Sequence, residues 1–524
     1  MTTLLVPRLR LPSPLRSVRT ARPHRYGDPV LVGLVAFVVY ALHGYDGVLD
    51  RDLGVFVYGG EHVAHGVPPY VGIFNSVGPL ADAVPGFAIW LGHFAEADPI
   101  LSARLFFTVL SALACSMLCV LARDTFGSRA AGFVAPAVFS NFECFLDLAS
   151  DGPREKTTMV VFMLACLILL GRRQWAAAGA CAALATLTWQ PVFAVAVAAA
   201  AAAAILDEQD TRRRILLRFT VGSAVPSLAT FCYVLGAGAL SPAIDGFILI
   251  NVRYTRQPSA LAHPQTTWQM LWLSYHWSLP LAIAGLAALI VLGVRAVPFA
   301  RRPTVSPVAR RLVITASGAL VGTGWTLLAI NGAPDLFVLL PFAGLGIAGV
   351  VLLLLGRLPR RGALAVAAAV VSLAVVVAGV MSMTTRDDRL LVQRADVDAV
   401  LGTQPPTATL VALSAPEVLA LSGRQSPVPY QIFSRTMEHY LAGTYPGGMP
   451  GFMATLRHLR PTFVVVGSTF HGSWPYPWLQ REYSRIGGGA TFTWYLRRSA
   501  GHDALIRARI AHDEALEPLG RSPG

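Results

Sequence analysis

Apolar residues run along this chain in long continuous stretches, and short polar segments separate them. Stretches rich in Ala, Leu and Val predict helices, because about 20 apolar residues span a hydrocarbon core with every backbone group bonded inside the helix. The two-residue alternation of a membrane β-barrel does not occur in these runs. The pattern predicts helices near 28–45, 100–122, 130–146, 157–171, 216–236, 277–296, 312–330, 335–356 and 363–382. The stretch 176–206 is long enough for two short helices hinged at Trp189-Gln190-Pro191, where proline removes a backbone hydrogen bond. About eleven crossings follow. Pro79–Phe94 is apolar but broken by Asp82, Pro85 and Gly86, and is expected to lie in the membrane interface.

Beyond residue 385 the pattern changes. Strand-like runs at Thr407–Leu413, Thr462–Val466 and Thr491–Leu496 alternate with helical stretches around Asp396–Leu401 and Phe452–Leu459. This predicts a small α/β domain over 385–505. The chain then divides into a basic segment (1–27), a helical membrane domain (28–384) with polar outer loops 46–99, 147–156 and 237–275, the α/β domain, and a tail (506–524) expected to be disordered.

Composition sharpens the division. The 524 residues are 54% hydrophobic and 14% charged, whereas a soluble domain is about a quarter charged. The net charge of +13 is no sign of a nucleic-acid partner. The arginines stand in pairs and triplets between apolar runs, as at Arg172-Arg173, Arg212–Arg214 and Arg310-Arg311, the signature of cytoplasmic loops. That rule puts the N-terminus in the cytoplasm and the C-terminal domain outside. The first apolar run follows a long basic region with no small-residue cleavage site, so it reads as an uncleaved helix and not as a signal peptide. Heavy Ala and Arg use points to a GC-rich bacterial genome, hence a multi-pass protein of the bacterial inner membrane. The six cysteines lie in or beside apolar runs without metal-ligand spacing and read as core residues.

Two acidic clusters stand out. The first outer loop carries Asp46, Asp50 and Asp52; the second cluster, Asp151-Gly-Pro-Arg154-Glu155-Lys156, contains the chain's only lysine. In an extended loop Asp50 and Asp52 would share a face, whereas on a helix they would point apart. One could serve as a general base while the other orients the acceptor or binds a cation; a solvated acidic loop is the alternative. Glu155 suits a helix N-terminus, and its cationic neighbours could hold a phosphate. Glu61 and His62 could supply ligands to a divalent cation, but their spacing matches no closed site, and plain loop polarity is the better account of the histidines.

The run from Asp50-Arg-Asp52-Leu-Gly54 through Tyr58, Gly66-Val-Pro-Pro69-Tyr70 and Gly78-Pro79-Leu80 resembles the first outer loop of GT-C membrane glycosyltransferases. That superfamily includes protein O-mannosyltransferases, lipid A aminoarabinose transferases and lipopolysaccharide-core galacturonosyltransferases. Arg104, Gly152-Pro-Arg154-Glu155, Leu187-Thr-Trp-Gln190-Pro191, Asn251-x-x-Tyr254 and Leu340-Pro341 resemble successive signatures in the same order. In the tail, Leu421-Ser-Gly423-Arg424, Arg460-Pro461 and Tyr495-Leu-Arg497-Arg498 do so too. Leu53 departs from the pattern where many relatives carry a second acid, and Asn331–Asp335 lacks a His-Tyr before the late Leu-Pro.

The resemblance implies inverting transfer of a sugar from a polyprenyl-phosphate donor to a glycan, glycolipid or protein acceptor at the non-cytoplasmic face. It makes Asp52 the base, with Asp50 and Glu155 assisting. It gives the donor phosphate to Arg154, Lys156 and Arg253, and a sugar or acceptor pocket to Tyr58, Tyr70 and Tyr254. Other classes the chain could fill are a flippase for lipid-linked saccharides and a non-catalytic membrane scaffold. Acids clustered outside the apolar runs, with none in mid-membrane as an ion relay requires, favour the enzyme.

Overall fold

The computed structural model describes residues 27–255, 259–300, 307–489 and 491–516. The expected basic segment 1–27 lies almost wholly outside the described residues. The helical part begins with α1 (Gly27–Ala41), α2 (Arg51–Ala64), α3 (Leu80–His93), α4 (Pro99–Phe126), α5 (Arg129–Phe139), α6 (Glu143–Asp151) and α7 (Glu155–Gly171). It continues with α8 (Trp175–Thr186), α9 (Val192–Leu206), α10 (Arg212–Gly236), the short α11 (Leu240–Ala243), a π-helical stretch Ile244–Tyr254 and α12 (Pro264–Tyr275). The helices α13 (Ser278–Ala300), α14 (Pro307–Leu328), α15 (Leu340–Leu355) and α16 (Arg360–Thr384) complete it.

Local chemistry sets many of these boundaries. The Asp98 side chain accepts from Leu101 N as an N-cap, Pro99 opens α4, and Gly127 closes it in the left-handed region at φ 62°. Helices meet through small residues: a Cβ on Gly179 would lie 1.9 Å from Phe219 O of α10, and one on Gly346 would lie 1.7 Å from Gly285 O of α13. Close backbone approach of this kind is how helices associate where lipid supplies no hydrophobic drive between them.

By length and composition, five helices among the described residues can cross a bilayer: α4, α10, α13, α14 and the long helical run from Arg360. A sixth follows if α5 and α6, bent by 76°, form one span. Length and composition thus single out five or six spans among the described residues, beside the eleven or so expected from sequence. The apolar α1, α8, α9 and α15 contain only 12 to 16 residues as described, about 18–24 Å of helix against a core of about 30 Å. The run expected near 130–146 as one helix is the bent α5–α6 pair. The α8–α9 break falls at the anticipated proline hinge.

The C-terminal domain comprises α17 (Arg389–Gly402), β1 (Leu410–Leu413), α18 (Pro416–Ser422), α19 (Arg435–Thr444), α20 (Gly448–Leu459), β2 (Phe463–Gly467), α21 (Tyr476–Glu482), β3 (Tyr483–Gly488), β4 (Phe492–Arg497) and α22 (His502–Leu516). Its sheet has the order β1-β2-β4-β3; β1 and β2 are parallel and the other neighbours antiparallel. Two expectations are corrected. Tyr483–Gly488 is a fourth strand, and residues 506–516 are helical, not disordered. Helix α22 is held by His512 Nδ1 against Asp396 Oδ1 at 2.5 Å, with Ala504, Ala508 and Leu516 on its buried side.

The domain is not a detached appendage. Phe463, Val465 and Trp494 from one face of the sheet share a core with Leu53 and Val57 of α2 and Val418 and Leu419 of α18. Val464 and Val466 from the other face pack with Phe74, Ile250 and Phe452. A Cβ on Gly54 would sit 2.6 Å from the backbone of Glu417, so α18 rests directly on α2 at that glycine. The segment around α2 is thereby built into the domain it faces.

Candidate active site

Helix α2 starts where Asp50, in extended backbone, accepts a hydrogen bond from Leu53 N at 2.8 Å. The helix begins between the two aspartates, so they diverge: Asp50 caps it and Asp52 projects from its first turn. Burial raises the Asp50 carboxyl and the neighbouring Asp52 charge adds to the rise. At Asp52 burial acts in the same direction, but Arg154 and then Arg51 outweigh it and hold the carboxyl well below the usual carboxylate range.

Those arginines begin a chain of alternating charge. Arg51 donates to Asp52 Oδ1 through Nη2 at 2.7 Å and Nε at 2.9 Å. Arg154 Nη1 reaches Asp52 Oδ2 at 3.1 Å, and its Nε lies 3.3 Å from Glu155 Oε2. Lys156 Nζ donates to Glu155 Oε1 at 2.5 Å and stands 3.3 Å from Asp335 Oδ1. Asp335 is held in turn by Asn331 N at 2.7 Å. Lys156 Nζ also lies over the Trp189 ring, 5.4 Å from its centroid. Three cations and three carboxylates thus neutralise one another.

This chain lines a cavity of about 700 Å³ between the helical bundle and the C-terminal domain. Arg51, Asp52, Arg154, Glu155, Lys156 and Asp335 all contribute to its wall, and Ser434 and Thr436 close it from the domain side. Phe193, Val252 and Trp325 also line it and are solvent-exposed, so the charged end is continuous with an exposed apolar rim. One wall is pinned at Ser76, whose carbonyl accepts from Gln190 Nε2 at 3.1 Å and Asn251 Nδ2 at 2.6 Å.

The other residues expected at the site do not line this cavity. Asp50 is committed to its cap. The Arg253 guanidinium lies 5.9 Å from the Tyr254 ring centroid, and Tyr254 packs edge-on against Tyr440, while their neighbours Asn251, Val252 and Thr255 reach the wall. Tyr58 is buried, with its hydroxyl accepting from Ser426 N at 3.0 Å. The Tyr70 hydroxyl donates to Val77 O at 2.7 Å. These tyrosines brace the outer loop. Burial, with Asp98 nearby, pushes the Glu61 carboxyl up to about 8, and His62 Nδ1 bonds Tyr58 O at 3.0 Å. Among the described residues no group of three or more His, Cys, Asp or Glu could hold a metal ion. The three cavity carboxylates each face an arginine or lysine, a poor fit for a divalent cation.

Arg51, Trp189, Gln190, Asn251 and Asp335 are wall residues to which the sequence assigned no role. Their recognisable signal was position within or beside the ordered motifs, above all Asp335 just before Leu340-Pro341.

No protein-family model matches the chain, and no curated protein sequence matches it. The described residues hold helices long and apolar enough to cross a bilayer and a charged cavity beside them, and solved structures share the fold. ArnT from Cupriavidus metallidurans bound to undecaprenyl phosphate is similar at a TM-score of 0.51 and 15% identity, over 89% of this chain and 97% of that one. The same protein in the apo state is similar at 0.51 and 16%, over 90% and 97%. The Archaeoglobus fulgidus oligosaccharyltransferase, in complex with Zn and sulfate, is similar at 0.50 and 13%, over 90% and 73%. At these identities the likeness is one of fold.

Proposed function

We propose that this protein is an inverting glycosyltransferase that takes a sugar from a polyprenyl-phosphate donor and adds it to an envelope glycan, glycolipid or protein outside the cytoplasm. The observation that carries the reading is the joining of Arg154, Lys156 and Asp52 to an exposed apolar rim in one cavity. A lipid-linked sugar phosphate has the matching form, a long apolar chain ending in an anion. The similarity in fold to a protein bound to undecaprenyl phosphate supports the same donor class.

In this mechanism Arg154 and Lys156 bind the phosphate and stabilise the charge it gains on leaving. Asp52, ionised and open to the cavity, accepts the acceptor hydroxyl proton. The acceptor oxygen forms the new bond to the anomeric carbon as the bond to the phosphate oxygen breaks, and polyprenyl phosphate departs with the electron pair. Glu155 and Asp335 position Lys156 from either side. Asp50 fixes the start of α2 and hence the place of Asp52.

Mass spectrometry of envelope glycolipids and glycans from cells with and without the gene tests the proposal. A sugar missing from one component is expected and identifies donor and acceptor together; identical profiles contradict it.

A further inference from the structure

Resting on the lipid-donor reading, the charge chain has a consequence for how the site handles the reaction. Before transfer the donor is a phosphodiester with one negative charge, and Asp52 carries another. Afterwards Asp52 holds the acceptor proton, and the released polyprenyl phosphate is a monoester with a charge of about −2. One negative charge has moved from Asp52 to the phosphate while the total is unchanged.

The six charged groups already balance, so a phosphate gains a cation only if one turns from its carboxylate. Lys156 is flanked by two buried carboxylates, Glu155 and Asp335. Arg154 meets Asp52 through a single nitrogen at 3.1 Å, whereas Arg51 holds the other oxygen with two nitrogens at 2.7 and 2.9 Å. Asp52 therefore stays paired when Arg154 turns away, which limits the cost of that movement. We infer that Arg154 is a counterion shared between Asp52 and the donor phosphate, passing to the phosphate as Asp52 is neutralised by the acceptor proton. The monoester product is then held most firmly when Asp52 is uncharged.

Equilibrium binding of radiolabelled undecaprenyl phosphate to the full chain in lipid nanodiscs tests this. Asp52→Asn, which imitates the neutral state, is expected to bind about tenfold more tightly than wild type. With Arg154→Gln added, that gain is expected to vanish. Equal or weaker binding by Asp52→Asn, or a gain that survives in the double variant, overturns the inference. Should Arg154→Gln not accumulate, Arg154→Lys takes its place; the gain then shrinks, because lysine offers a single point of charge, and an undiminished gain overturns the inference. Failure of folded wild-type protein to bind the lipid at all is a different result. It removes the lipid-donor reading, and the inference with it.

Discussion

Helix α7 connects two knots of arginine and carboxylate that use the same chemistry for opposite ends. At its N-terminus, Arg154 and Lys156 join Asp52, Glu155 and Asp335 around a cavity. Beyond its C-terminus, Arg173 Nε and Arg310 Nη1 each meet Asp207 Oδ2 at 2.7 Å. The other Asp207 oxygen accepts from Gln209 N at 2.9 Å and Asp210 N at 3.0 Å. The Asp207 side chain is 0% exposed, and the chain itself fills its acceptor positions, whereas Asp52 is 36% exposed on its open side. A saturated knot is a fastening. An open one, beside a cavity, has charge to offer a ligand.

Substitutions can break that contrast. The largest effect on stability is expected from Asp207→Asn. It leaves Arg173 and Arg310 without their buried partner and should cost about 3–5 kcal/mol, read as lower membrane accumulation and a lower melting temperature in detergent. Turnover per folded molecule should be unchanged; a selective loss of turnover would make the second knot functional too.

Glu417→Gln carries a pH signature. Burial pushes the Glu417 carboxyl from the ordinary 4.5 up to about 8, and the nearby Asp50 adds to the rise. In the unfolded chain this group ionises near its ordinary value while the folded one stays protonated. Its contribution is therefore fully present below about pH 4.5 and is lost as pH rises towards 8. Glutamine does not titrate, so the variant should gain on wild type between pH 5 and pH 8, by roughly 3–4 kcal/mol. A melting difference that is flat with pH contradicts this. Next comes Gly54→Ala, which drives a methyl into the Glu417 backbone and should cost about 1–3 kcal/mol, measured by thermal unfolding. Unchanged unfolding would show that α18 does not rest on α2. The smallest stability change is expected for Asp52→Asn, within about 1 kcal/mol, because the site is open and Arg51 and Arg154 can turn to the cavity. A large loss would reclassify Asp52 as a fastening.

The bundle was legible in the sequence because continuous apolar runs and the Trp189-Gln190-Pro191 break are local signals. The crossing count was not, since an apolar run does not state how far its helix extends or where it bends, as α5 and α6 show. Three strands were readable from Val, Leu, Phe and Thr content; β3 was not, with Ser484, Arg485 and Gly487-Gly488 in it. Helix α22 depends on an Asp396–His512 contact 116 residues apart, which no local pattern displays. Of the site, Asp52, Arg154, Glu155 and Lys156 stood inside ordered motifs. Asp335 reaches Lys156 only through the fold. Asp50 read in the sequence as one of an acidic pair, and its capping of α2 through Leu53 N shows only in the structure.

The central claim is that the Asp52 carboxylate takes a proton from a sugar acceptor. Its most direct test is the glycolipid and glycan mass profile of a deletion strain carrying either the wild-type gene or Asp52→Asn, at matched protein levels in the membrane. The account predicts that wild type restores the missing sugar and that the folded Asp52→Asn protein leaves the deletion profile, a loss of transfer of about 10²-fold or more. Full restoration by Asp52→Asn contradicts it.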